Sequence, residues 1–153
     1  MSGKDVRLDR LMDLAEKWYS KKKFSHAMRV AGYANAMAMH DDRVDPLDAY
    51  VVAIAHDLIE DTDCPQEQIA DILGYDLFSS VLLLTKCDTM PYHDYILDIV
   101  ASNDDVAYLV KKADMKDHLT QVDTLSDKLK EKYLPEVHYF DFYKKIVYNI
   151  YRK

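Results

Sequence analysis

Apolar residues recur at helical spacing along almost the whole chain, and this spacing limits the possible folds more than any other feature of the sequence. In residues 6–20, for example, apolar side chains recur every three or four positions from Leu8 to Trp18, as on one face of an amphipathic helix. The chain shows no convincing β alternation, and its 153 residues include only three glycines and four prolines, which favours long helices. The sequence therefore predicts an all-α protein, a compact single-domain helical bundle that takes up residues 1–153.

Capping residues and prolines predict where these helices begin and end. The basic run 21–23 is expected to break the first helix, and a second helix is predicted from about Ser25 to His40. Asp45-Pro46 combines an N-cap with a proline at the first helical position, so it starts a third helix. Gly74 is expected to end the fourth predicted helix. Further helix starts are predicted at Cys64-Pro65, Tyr75, Pro91, Asn103 or Asp104, and Pro135.

The overall charge and the cysteine pattern argue against several classes of protein. The net charge of −7 at pH 7 disfavours a general nucleic-acid-binding surface. No apolar stretch approaches the ~20 residues of a membrane span, and the polar residues 1–10 do not resemble a secretory signal. Cys64 and Cys87 form no CxxC pair and suggest no disulfide framework. We therefore expect a cytoplasmic protein without a nucleic-acid or membrane partner.

One His-Asp pair lies where charged groups are least expected. His56-Asp57 directly follows the apolar run 49–55, and an unpaired ionised group is costly to bury in such a setting. If the helix persists to Asp61, Glu60 shares a face with His56, and Asp61 shares one with Asp57, because residues four apart are neighbours. Two interpretations follow from the residues: a ligand cluster at the mouth of a cleft, or a solvated helix end with one satisfied histidine.

Two further positions could complete a metal site with this pair. His26 lies near the start of the second predicted helix, and Asp114 follows an apolar segment of a later helix. Bundles commonly build metal sites from side chains on facing helices. With His56 and Asp57 they would offer two imidazoles and two carboxylates, a set that suits Mn²⁺, Fe²⁺, Zn²⁺ or Mg²⁺. Taken singly, His26 could instead be a capping or partly exposed residue, and Asp114 could pair with a nearby lysine.

The order and the flanking residues of these positions resemble the HD-domain metal-dependent phosphohydrolases. The segment 55–62, AHDLIEDT, is similar to the "LHDxxEDT" signature of the (p)ppGpp hydrolase branch, the RelA/SpoT and metazoan SpoT-homologue hydrolases. Residues 83–86 are similar to that branch's "LTK" stretch, and residues 110–119 to its "VKLADxxxNL" stretch. The resemblance covers roughly residues 7–135 and implies a helical bundle of the HD-domain type.

The resemblance also implies a role for each of the clustered residues. The residues that would hold one divalent ion, with Mn²⁺ as the first expectation, are His26, His56, Asp57 and Asp114. Glu60 and Asp61 would handle the attacking water and its protons. The implied activity is hydrolysis of the 3′-pyrophosphate of ppGpp, guanosine 3′,5′-bis(diphosphate), or of a related small nucleotide.

Substrate contacts are predicted from lysines and from one tyrosine. With so few glycines no Gly-rich phosphate cradle is available, so Lys22 and Lys23 in the basic run are candidates to bind phosphate; a solvated loop is the alternative. Lys111 matches the family's lysine and is a further candidate. The resemblance places a substrate-contacting tyrosine at Tyr133, where core or surface packing is an equally good interpretation.

Two departures from the family pattern keep other functions open. His118 stands where the family has a substrate-site Asn, and its ring could hydrogen-bond a ribose or phosphate or add a titratable group near the metal. The family's Gly-containing segment before the first ligand is shortened to residues 21–25. These departures favour a nucleotide phosphatase or phosphodiesterase on the same scaffold. A catalytically silent nucleotide sensor ranks last, because Glu60 and Asp61 are present. The aromatic last helix could supply the interface of a homo-oligomer.

Overall fold

The helices pack as an all-α bundle, as the apolar spacing predicts. The computed structural model of the protein describes residues 3–120, and this part of the chain contains no strand. The helix predicted to start at Pro135 lies outside the described residues. The helices within them are α1 Gly3–Trp18, α2 Lys21–Ala38, α3 Pro46–Ala55, α4 Leu58–Asp61, α5 Gln66–Leu73, α6 Tyr75–Leu83, α7 Tyr92–Ala101 and α8 Asp105–Thr120.

Helix α3 lies at the centre of this bundle. It contacts α1, α2, α5, α6 and α8, and its side chains Val51, Val52 and Ile54 are completely buried. Burying a side chain of this size stabilises a fold by about 1.5–3 kcal/mol. Because α2, α3 and α8 also pack against one another, polar residues on their facing sides meet at one place. Within residues 3–120, no helix combines the length and the apolarity needed to cross a bilayer.

Several helix ends lie where their sequence signals predict. The side chain of Asp45 accepts hydrogen bonds of 2.8 and 3.2 Å from two backbone N–H groups in the first turn of α3. Gly74 ends α5 with a φ of +82°, a conformation that side-chain-bearing residues rarely adopt. Of the two candidates before α8, Asp104 is the cap, because its Oδ1 accepts from a backbone N–H of the first turn at 2.9 Å.

The basic run 21–23 forms the first turn of α2, so the prediction that it separates two helices is wrong. Helix α1 ends at Trp18, and Ser20 is the N-cap of α2. The Ser20 hydroxyl oxygen accepts a hydrogen bond of 3.2 Å from the Lys23 backbone N–H. A serine cap followed by lysines, which are good helix formers, favours a helix start at Lys21. As a result, His26 lies in the second turn of α2 and not at its beginning.

The helix that carries His56-Asp57 is interrupted at this pair and does not continue to Asp61. Helix α3 ends at Ala55, and a separate short helix, α4, begins at Leu58. The cause is Tyr19, whose hydroxyl donates a hydrogen bond of 2.6 Å to the Ile54 carbonyl. In a continuous helix that carbonyl would accept from the N–H of the residue four positions later. A side chain inserted in this way is a known cause of helix breaks.

Candidate metal centre

Three parts of the bundle bring the four predicted metal ligands together. His26 comes from α2, His56 and Asp57 from the junction of α3 and α4, and Asp114 from α8. The Nε2 atom of His26 lies 2.9 Å from Asp114 Oδ1 and 3.7 Å from Asp57 Oδ2. The Nε2 atom of His56 lies 3.4 Å from the same Asp114 oxygen and 3.3 Å from the same Asp57 oxygen. Each imidazole nitrogen therefore faces both carboxylates.

The surroundings of His56 fit a bound cation. Its ring is buried, and its Nδ1 lies 2.5 Å from the Ala53 carbonyl oxygen, so Nδ1 carries the proton that this contact needs. Its Nε2 has no hydrogen-bond partner among the described residues. In the neutral ring the Nε2 lone pair faces two carboxylates, an arrangement that a positive charge at this point stabilises. A divalent ion would supply that charge, and a backbone-bonded Nδ1 is the usual partner of a metal-binding Nε2.

Without an ion, protons on the histidines supply part of this charge. Burial alone would lower the pKa of His56, but the nearby Asp57 and Asp114 carboxylates raise it well above its usual value. The same balance between burial and the Asp114 carboxylate raises the pKa of His26. A metal ion that binds here must displace these protons.

Lys111 anchors the Asp114 carboxylate from the side away from the histidines. Its Nζ donates a hydrogen bond of 2.8 Å to Asp114 Oδ2 and lies 5.1 Å from the centre of the Tyr95 ring. Burial opposes ionisation of Asp114, but the Lys111 charge and the neighbouring histidines hold the pKa of that carboxyl well below its usual range. Lys111 thus leaves Asp114 Oδ1 pointing towards His26 and His56. This is the lysine pairing that the sequence offered for Asp114 as the alternative to a metal ligand.

Asp117 and Arg29 belong to the centre but were not predicted. Asp117 is 1% exposed, and its Oδ2 lies 2.7 Å from His26 Nδ1. The guanidinium of Arg29 donates hydrogen bonds of 2.8 and 3.1 Å to the two oxygens of this carboxylate. The available signal was spacing, because Arg29 follows His26 and Asp117 follows Asp114 by three residues, which places each pair on one helix face.

The two carboxylates predicted to handle water lie beside the centre. Glu60 Oε1 accepts a hydrogen bond of 2.7 Å from the Lys86 backbone N–H, and Asp61 Oδ2 lies 3.0 Å from Lys23 Nζ. Both carboxylates approach that of Asp57, and the nearest oxygens of the three lie within 4.8 Å of one another. Partial burial raises the pKa of Glu60, although the Lys86 N–H opposes this. Asp57, Glu60 and Asp61 all line an open cleft.

This cleft also contains most of the predicted substrate contacts. Those that line it are Lys23, Lys111 and His118. Lys22 is exposed and does not line the cleft. Tyr133 lies outside the described residues. Lys86, the lysine of the LTK stretch, lines the cleft although it was not predicted as a substrate contact.

The fold matches that of a solved structure. That structure is described as "A metazoan ortholog of SpoT hydrolyzes ppGpp and plays a role in starvation responses", and it superposes with a TM-score of 0.68. The alignment covers 99% of this chain and 96% of that chain, at 18% sequence identity. No protein-family model and no curated protein matches the sequence. At this identity the likeness bears on the fold, and it confirms the predicted bundle: the chain has the helical fold of the HD-domain type.

Proposed function

We propose that the protein is a metal-dependent phosphohydrolase that holds one divalent ion on His26, His56, Asp57 and Asp114. The main support is the buried Nε2 of His56, which lacks a hydrogen-bond partner among the described residues and faces two carboxylates. Mn²⁺ is the first expectation for this mixed nitrogen and oxygen set, with Fe²⁺, Zn²⁺ and Mg²⁺ as alternatives. When bound, the ion would lower the pKa of a water molecule and offset the charge of a phosphate group.

In this proposal Glu60 is the proton acceptor for the attacking water. A base acts best when its pKa is close to the working pH, and burial raises the pKa of Glu60 in that direction. The water oxygen would attack phosphorus, the bond to the leaving oxygen would break, and the water proton would pass to the Glu60 carboxylate. Asp61 would orient the water, since its Oδ2 is held by Lys23 Nζ at 3.0 Å.

Two lysines that line the cleft, Lys23 and Lys86, would meet the phosphate groups. Partial burial would lower the pKa of Lys23, but the hydrogen bond with Asp61 and the Asp57 charge raise it, so this side chain stays cationic. Lys86 lines the same cleft. Cations placed where charge develops on the phosphate oxygens lower the barrier to phosphate ester cleavage.

We infer that the substrate is a guanosine 3′-pyrophosphate such as ppGpp. Two independent points support this choice. The segment 55–62 carries the Glu-Asp-Thr extension of the ppGpp hydrolase signature, and a structure of the same fold is described as that of a protein that hydrolyzes ppGpp.

A nucleotide phosphatase or phosphodiesterase is the second candidate. Only Tyr19 and Ser20 connect α1 to α2, so there is no longer loop before the first ligand that could hold a base. His118 lines the cleft at the position of the family's substrate-site Asn. Both points leave the proposed metal ligands and the water-handling carboxylates in place, but they indicate a weaker specificity for the base and the ribose of the substrate.

A product assay separates the two candidates. The chelator-stripped protein is reloaded with Mn²⁺ and given ppGpp, 3′-phosphorylated nucleotides and 5′-mononucleotides in turn. We expect release of pyrophosphate from ppGpp. Release of orthophosphate from a mononucleotide would instead favour the second candidate, and nucleotide binding without turnover of any substrate would contradict both.

Glu60→Gln tests the role of the base within this assay. We expect the variant to keep its metal affinity and to lose about 10²–10⁴-fold in kcat, the usual contribution of general base catalysis. Glu67→Gln is the matched control, because Glu67 is exposed on α5 and does not line the cleft. Full activity of the Glu60 variant would contradict its role as the proton acceptor.

A further inference from the structure

A third imidazole lies against the metal centre. His118 is one helical turn after Asp114 on α8, and its Nε2 lies 3.4 Å from Asp114 Oδ1. Its ring centroid is 4.8 Å from that of His26. The potential ligand atoms of His26, Asp114 and His118 all lie within 4.8 Å of one another, as do those of His26, His56 and Asp57. His26 therefore belongs to both groups.

The distances around Asp114 Oδ1 are those expected between ligands of one ion. This oxygen lies 2.9, 3.4 and 3.4 Å from the Nε2 atoms of His26, His56 and His118. Ligands about 2.1 Å from a shared ion are separated by about 3.0 Å at octahedral angles and about 3.4 Å at tetrahedral angles. The distance from His118 Nε2 to Asp114 Oδ1 therefore meets this criterion as well as that from His56 Nε2 does.

We propose that His118 is a fifth protein ligand of the metal ion. This proposal rests on the metal centre proposed above. The site then offers three imidazoles and two carboxylates to a divalent first-row transition ion. Imidazole suits Fe²⁺ and Zn²⁺, whereas carboxylate and water suit Mg²⁺ and Mn²⁺. The third imidazole therefore shifts the preference of the site away from Mg²⁺ and Mn²⁺ and towards Fe²⁺, Co²⁺ and Zn²⁺.

His118 is the most exposed of the three histidines at this centre. Its side chain is 29% exposed, against 9% for His26 and 4% for His56. Its replacement therefore leaves the buried part of the centre in place. The competing role is a contact with the substrate in the cleft that His118 lines. A ligand changes metal affinity without any substrate present, and a substrate contact changes only substrate affinity.

The test measures metal binding by the full chain in the absence of substrate. Calorimetric titrations with Zn²⁺, Co²⁺ and Mn²⁺ compare the wild type with His118→Asn, after circular dichroism has established that both are folded. We expect the variant to lose at least about tenfold in affinity for Zn²⁺ and Co²⁺ and less for Mn²⁺. The visible absorption bands of bound Co²⁺ should also change, because they report the ligand set. His40→Asn is the matched control, since His40 is exposed and does not line the cleft.

Two results would overturn the inference, and they differ from a failure of the proposed function. Equal affinities of the wild type and His118→Asn for all three ions, with unchanged Co²⁺ spectra, would remove His118 from the ligand set. A raised KM with unchanged metal affinity would make His118 a substrate contact instead. If the wild type itself binds none of the ions, the proposed metal centre fails as a whole.

Discussion

His26 Nδ1 and Asp117 Oδ2 lie 2.7 Å apart in the buried interface between α2 and α8. Burial works against ionisation of Asp117, but hydrogen bonds from Arg29 and His26 lower the pKa of this carboxyl. An ionised carboxylate can only accept, so His26 donates from Nδ1. When His26 is neutral, its lone pair is therefore on Nε2 and faces Asp57 and Asp114. Partners of this kind fix the tautomer and the orientation of a metal-binding histidine.

Asp117→Asn should weaken metal binding without removing a ligand. We expect a loss of about 10–100-fold in affinity for Mn²⁺, because an amide in this position no longer fixes the proton on His26 Nδ1. Calorimetric titration of the stripped protein measures the change. As the control, Asp98 is exposed on α7, and the Asp98→Asn variant should bind Mn²⁺ with the affinity of the wild type. An Asp117 variant that binds Mn²⁺ as tightly as this control would contradict the role of Asp117.

The metal-free protein should lose stability as the pH rises above about 6.5, the usual histidine pKa in an unfolded chain. The folded-state pKa values of His26 and His56 are raised by the aspartates against the effect of burial. Protonation of both rings therefore stabilises the fold fully below the unfolded pKa, and this contribution disappears as the pH rises through the folded pKa values. Thermal melts in chelator between pH 6 and 8.5 measure the decline.

A saturating divalent ion should abolish this decline, since the ion replaces the protons. By the same linkage, metal affinity should increase with pH over the same window. Melts of the Mn²⁺-loaded protein provide the comparison. A decline of equal slope with and without metal would show that the histidines do not exchange protons for the ion.

Lys111→Met should destabilise the metal-free protein more than the metal-loaded one. Removing one partner of a buried ion pair costs about 3–5 kcal/mol, because the other charge stays buried without compensation. A metal ion would still balance the Asp114 charge, so the loss should be smaller with Mn²⁺ present. Urea unfolding in chelator and in Mn²⁺ gives the two values. Lys21→Met, at an exposed position on α2, should have little effect in either condition. Equal losses in both conditions for the Lys111 variant would argue against an ion beside Asp114.

Features of the fold and of the site that depend on local interactions could be predicted from the sequence, whereas those that depend on contacts between distant residues could not. Asp45 and Gly74 act on their own helix ends, so local sequence identified them. His26 and Asp114 could be grouped with His56-Asp57 because apolar stripes predicted which faces are buried. The break before His56 could not be predicted, since it depends on Tyr19 from the connector between α1 and α2. Asp117 could not be predicted for a similar reason, because its partners Arg29 and His26 lie on α2, 88 and 91 positions away in sequence.

Tyr19→Phe tests whether the break in the helix presents His56 and Asp57 to the metal. The hydroxyl donates to the Ile54 carbonyl at 2.6 Å and accepts from the Asp57 N–H at 3.3 Å. Its removal leaves buried backbone groups without this partner, which costs about 1–3 kcal/mol in the free energy of unfolding. We also expect weaker Mn²⁺ binding, because the turn at residues 56–57 would be free to return towards a continuous helix. Urea unfolding and calorimetric titration measure the two effects, with Tyr75→Phe as the control, since Tyr75 is exposed on α6. A variant that loses stability but binds Mn²⁺ normally would show that Tyr19 supports the fold without positioning the ligands.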